Sequence, residues 1–133
     1  MEDKVLSITQ MKKLIDLGVN TSKASIYWIK QVNGTRVNDP IDGKPFLSLN
    51  KGPELMHAGF MRFETTPTFT LQDMIELMPE SVKINQTICN LGFSKDCVEY
   101  VSEYEEEIFF IMSDNILENT YKTLVWLLEN KHI

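Results

Sequence analysis

Two stretches of this chain start a helix in the same way, and the rest of the fold has to fit around them. In the first, Ser7 can cap, Gln10 follows three residues later to close a capping box, and Leu6 and Met11 take the two positions of a hydrophobic staple. In the second, Thr70, Asp73, Phe69 and Met74 repeat those four roles. Behind each cap the apolar residues recur at helical spacing: Met11, Leu14 and Ile15 in one, Leu71, Met74, Ile75 and Met78 in the other. Gly18 and Pro79 supply the stops. A third helix is predicted to start after Ser113 or Asp114 and to run to about Lys131, with Leu117, Tyr121, Leu124, Val125 and Leu128 as its apolar stripe. Trp126 lies off that stripe. At about 100° per residue it points to the side opposite Leu117, which predicts an exposed ring, a cover from elsewhere in the chain, or an interface.

Between the helices the signals are those of strands. Residues 25–32 are rich in β-branched and aromatic side chains and run into Asn33-Gly34, the preferred pair for a type I′ turn. Residues 35–37 are expected to return as the hairpin partner. Residues 82–91, 97–104 and 107–112 read as three consecutive strands joined by short turns. In the first of these, Val82, Ile84 and Ile88 alternate with Lys83, Asn85 and Thr87, as a half-buried antiparallel strand requires. Residues 108–112 are apolar on both faces and are the best candidate for a central strand. The segment 38–59 holds Pro40, Gly43, Pro45, Gly52 and Pro53 and is predicted to be a long loop with one short strand over 46–49. One more strand is expected over 58–64. This order predicts a single α+β domain over 1–133, in two layers, with a mainly antiparallel sheet and about three helices packed on it.

A chain of 133 residues can bury a core without disulfide or metal staples. No apolar run approaches the roughly 20 residues of a membrane span. The opening Met1-Glu2-Asp3-Lys4 lacks the basic-then-apolar pattern of a secretory signal. The expectation is a cytoplasmic protein in which Cys89 and Cys97, placed either side of a turn, remain reduced thiols. Charge is unevenly spread. Residues 1–66 hold nine Lys/Arg against seven Asp/Glu (+2), whereas residues 67–133 hold four against twelve (−8). Phosphate binding relies on clustered Lys and Arg, so direct nucleic-acid binding is not expected of the acidic half. A basic protein surface suits it better, through long-range steering.

No constellation of residues with an obvious chemistry is visible, and neither a cofactor nor a metal site is predicted. His57 and His132 stand alone, and Gly43-Lys44 lacks the flanking residues of a phosphate loop. The acidic turn Glu103-Tyr104-Glu105-Glu106-Glu107, with Glu99 upstream, has no glycine-centred calcium-loop pattern. It reads as a solvated hairpin tip or a docking patch. Glu99, Glu103, Glu105, Glu106 and Glu107 together with Trp126 are therefore the candidate interaction surface. Asp39, Asp42, Lys44 and His57 form the alternative, a small-ligand site under the 38–59 loop, although Asp-Pro and Asp-Gly are also ordinary turn formers.

Three stretches are familiar in combination: Leu17-Gly18-Val19-Asn20-Thr21-Ser22-Lys23-Ala24-Ser25 leading to Trp28, Phe69-Thr70-Leu71-Gln72-Asp73-Met74-Ile75-Glu76-Leu77-Met78-Pro79, and Leu124-Val125-Trp126-Leu127-Leu128-Glu129-Asn130. Together they resemble small uncharacterised proteins of phages, prophages and conjugative elements of Bacteroides-type bacteria. That resemblance implies a genetic setting and no site: an accessory protein of a mobile element. The expectation is a non-enzymatic protein-interaction module with a protein partner. The alternatives are a small-ligand enzyme or binding protein, and an acidic decoy for a nucleic-acid-binding protein. Self-association is left open.

Overall fold

Both capping boxes close in the computed structural model, which describes residues 2–32, 44–49, 55–58, 61–104 and 107–133. In α1 (Ile8–Asp16) the Gln10 N–H donates to Ser7 Oγ at 3.1 Å, and the Ser7 N–H donates to Gln10 Oε1 at 2.9 Å. In α2 (Leu71–Leu77) the Asp73 N–H donates to Thr70 Oγ1 at 3.2 Å, and the Thr70 N–H donates to Asp73 Oδ2 at 2.9 Å. The four staple residues, Leu6, Met11, Phe69 and Met74, are all buried. The two helix entries also meet: the Leu6 N–H donates to the Phe69 carbonyl at 3.0 Å, and Val5 bridges Thr70. Gly18 ends α1 in the left-handed region at φ 92°. Val19 N–H then reaches Leu14 O and Gly18 N–H reaches Ile15 O, which satisfies two terminal carbonyls at once.

The strands are β1 (Ile26–Val32), β2 (Phe46–Ser48), β3 (Leu55–Ala58), β4 (Met61–Thr68), β5 (Ser81–Ile84), β6 (Thr87–Ser94), β7 (Cys97–Ser102) and β8 (Glu107–Met112), followed by α3 (Ile116–Glu129). The α+β class with antiparallel pairing is as expected. The described strands divide between two sheets, in the orders β2-β1-β4-β3 and β5-β6-β7-β8. α2 is the link between them in sequence. No helix among the described residues is long and apolar enough to cross a membrane.

Each sheet has its own cover. On the first, Ile26 and Trp28 cluster with Val5, and the Trp28 Nε1–H and Thr68 hydroxyl both donate to the Leu6 carbonyl at 2.7 Å. The buried Trp thus gains the polar partner its ring nitrogen needs. On the second sheet the inward residues Val82, Cys89, Val98 and Tyr100 merge with Met11, Leu14, Met74, Met78, Leu124 and Leu127 into the main core. β7 shows the clean alternation of a sheet with one buried face, Val98, Tyr100 and Ser102 pointing in.

Four expectations need correction. Residues 82–91 are not one strand but a hairpin, broken at Asn85-Gln86, where φ is 49° and 69°. Two successive left-handed residues make a tight turn that matches strand twist. Asn tolerates that conformation, whereas Gln seldom signals it, so the turn is hidden in the sequence. Within 38–59, residues 55–58 form a strand that composition did not suggest, and of the strand expected over 58–64 Ala58 belongs to β3 while β4 runs from Met61 to Thr68. Residues 108–112 do not lie centrally: β8 is the terminal strand of its sheet. The buried face of α3 is also wider than its expected stripe: Leu117, Tyr121, Leu124, Val125 and Leu128 all pack into the core, and Asn119, Thr120, Thr123 and Leu127 are buried beside them. Residues 35–37 lie outside the described residues; β1 pairs with β2 and β4. Cys89 stands opposite Ser102 and Cys97 opposite Ser94 and Met112, and neither is in a disulfide.

Candidate functional site

The burial of α3 decides what Trp126 can do. Its fully buried residues are Asn119, Thr120, Thr123, Leu124 and Leu127, a mostly polar set by sequence. Each polar group is answered locally. Thr120 Oγ1 donates to Ile116 O at 2.7 Å and Thr123 Oγ1 to Asn119 O at 2.8 Å, so both threonines turn their hydroxyls to the helix and leave their methyls for the core. Asn119 accepts from Ser113 Oγ at 2.6 Å and donates through Nδ2 to the carbonyls of Ser113 and Asp96. That amide ties the start of α3 to the β6–β7 turn. Asn115 caps the helix, its Oδ1 accepting from Glu118 N–H at 3.1 Å, and Gln10 Nε2 reaches across from α1 to Glu118 Oε2 at 2.8 Å.

With that face inward, Trp126 no longer points away from the protein. It is three residues from Thr123 and seven from Asn119, hence on the shoulder of the buried face. It lies half-buried, stacked on Phe109 of β8 with centroids 4.2 Å apart and planes 17° apart. Tyr100 packs against it at 5.8 Å and His132 at 5.0 Å. Tyr100 is fully buried, and its hydroxyl donates to Pro79 O at 2.8 Å. Burial holds its phenol well above the ordinary tyrosine range. Trp126 therefore fastens α3 to the inner face of the second sheet.

The outer face of that sheet is different. Phe110 is 50% exposed and Met112 66% exposed, adjacent in the outward register of β8, and Ile88 is exposed at the opposite corner. Glu99 stands directly opposite Phe110 on one side and Gly92 on the other. Its side chain lies over Gly92, whose missing Cβ would sit 3.2 Å from Glu99 Cγ and Oε1. The glycine thus gives the carboxylate a place to lie on the β6 side, away from the Phe110 ring. Among the described residues Glu99 has no ion-pair partner.

Of the other acidic candidates, Glu103 is exposed in the β7–β8 turn and Glu107 opens β8. Glu105 and Glu106 lie outside the described residues, as do Asp39 and Asp42. Lys44 is exposed, and His57 stands in β3 opposite Arg62. Among the described residues, no three His, Cys, Asp or Glu side chains gather as a metal site would require. A cleft of about 170 Å³ between α2 and the 20–23 loop is lined by Asn20, Ser22, Lys23, Phe69, Asp73 and Glu76. Ligand pockets typically measure about 300–1,000 Å³. Asp73 is also committed to the α2 cap, which leaves this cleft little to offer a ligand. The residue types that sequence reasoning missed are Phe110 and Met112, because it treated β8 as covered on both faces.

No protein-family model, curated protein or solved structure matches this chain.

Proposed function

We propose that this protein is a non-enzymatic protein-interaction module that docks through the outer face of the β5–β8 sheet. The carrying observation is the pair Phe110 and Met112, two large apolar side chains exposed side by side on the outer face of the sheet. The charge of residues 67–133, four Lys/Arg against twelve Asp/Glu, favours a basic partner surface and disfavours nucleic acid. Trp126 supports this face from behind by holding β8 to α3, and Glu99 and Glu103 contribute to its acidic surround. The resemblance of three segments to mobile-element proteins suggests the setting: an accessory protein acting in the bacterial cytoplasm.

The test is a matched capture from host lysate with wild-type protein and the double variant F110S/M112S, after nuclease treatment. A protein retained by wild type, lost by the variant and weakened by high salt supports the reading. Identical capture by both overturns it.

A further inference from the structure

Sheets present edges as well as faces, and the described sheets have four edge strands of unequal character. β2 has three residues, β3 four and β5 four, and β5 carries Lys83. Short edges and edge lysines are the ordinary means of keeping a strand from pairing with another chain. β8 has neither protection. It is six residues long, Glu-Ile-Phe-Phe-Ile-Met, with no Lys, Arg or Pro, and among the described residues β7 is its one strand neighbour. Its register irregularity falls opposite Tyr100 and Val101, leaving 109–112 in regular pairing. One row of its backbone N–H and C=O groups therefore faces away from β7, in line with the exposed Phe110 and Met112.

We infer that β8 receives an extended segment of a basic partner protein as a fifth strand of the sheet. This rests on the docking reading above and specifies its occupant. Backbone pairing along β8 supplies the register, and side chains on alternate positions of the added strand cover Phe110 and Met112. The cationic character follows from the −8 balance of residues 67–133 and from Glu99 on the same face, which has no ion-pair partner among the described residues. Long Lys or Arg stems also suit the task, since they lie along apolar rings while their charged heads stay in water. A second copy of this chain fits poorly. Its own β8 would bring another acidic half against the first, and like charges placed face to face are a selection against pairing.

The probe is a synthetic peptide, (Lys-Val)3-Lys, against its acidic counterpart (Glu-Val)3-Glu, with binding followed by amide hydrogen exchange and NMR on the full chain. The expected result is binding of the basic peptide at least ~10-fold tighter than the acidic one at low salt, weakening several-fold at high salt. β8 amides that exchange freely in the unbound protein should become protected. F110S/M112S, altered at exposed positions, should fold normally and lose ~10-fold in affinity for the peptide. Equal binding of both peptides, or binding of the basic one with β8 amides still open, overturns strand addition. The two levels separate cleanly: if host proteins are lost by F110S/M112S while β8 stays unprotected in their complexes, the docking face stands and the added strand does not. If the variant retains every captured protein, the docking face itself falls.

Discussion

Replacing Trp126 by Ala distinguishes a fastening residue from a binding residue. The ring stacks on Phe109 at 4.2 Å and meets Tyr100 and His132 within 5.8 Å, so truncation strips three aromatic neighbours of a partner. Full burial of a large aromatic is worth about 3–5 kcal/mol on truncation. Trp126 is half-buried, which halves that to about 1.5–2.5 kcal/mol, and the near-parallel stack on Phe109 adds about 0.5–1 kcal/mol. The expected loss is therefore about 2–3.5 kcal/mol, a large share of the roughly 5–15 kcal/mol typical of a domain. Urea unfolding followed by far-ultraviolet circular dichroism measures it directly. The midpoint should fall with little change in the denaturant slope, since the unfolded chain exposes nearly the same surface. The β8 amides that pair with β7 should also lose protection, because Phe109 loses the ring against which it lies. A stability change below about 0.5 kcal/mol, the range of ordinary surface substitutions, would refute this account and return Trp126 to the candidate interaction surface.

Three further outcomes test the same reasoning. Thr70→Ala removes the acceptor for the Asp73 N–H at the α2 entry and should cost about 1 kcal/mol in the same urea experiment, with Thr70→Ser largely restoring it. Asn119→Leu keeps volume but takes the amide donor from the Ser113 carbonyl and the acceptor from the Ser113 hydroxyl, while Asp96 O keeps the Ser113 N–H; a loss of about 1–3 kcal/mol is expected, and no loss would mean those groups find water. Alkaline titration should destabilise the fold. Tyr100 holds its proton above the ordinary value of 10.0, so its contribution is fully present below that pH and is lost as pH rises towards its folded-state value. Each pH unit in that window costs about 1.4 kcal/mol, and Tyr100→Phe should flatten the pH dependence at high pH measured by thermal melts.

The parts of this protein that could be read directly from the chain are those whose physics is local. A capping box is decided by residues three apart, a staple by residues five apart, and a Schellman stop by one glycine. For that reason Ser7–Gln10, Thr70–Asp73 and Gly18 all do what their neighbours dictate. The antiparallel α+β class was legible too, from the order of helix and strand signals and from the alternation of Val82, Ile84 and Ile88 with Lys83, Asn85 and Thr87. The Asn85-Gln86 turn was not, since Gln rarely marks a left-handed position and the alternation on its two sides continues without a break.

What only the tertiary structure decided is which surfaces meet. Thr120, Thr123 and Asn119 count as polar in any periodicity, yet they form the buried side of α3 because their polar atoms are satisfied by carbonyls within reach. That widening of the buried face takes in Trp126, whose cover is Phe109. Likewise, the apolar run at 108–112 looks the same whether its strand is central or terminal. Its place depends on pairing with distant residues, and the division of the strands into two sheets left β8 at an edge with Phe110 and Met112 outward. Local hydrogen bonds determine where elements begin and end, and sequence carries them. Burial is a property of the surfaces that distant segments present to each other, and a chain read in order carries no record of which those will be.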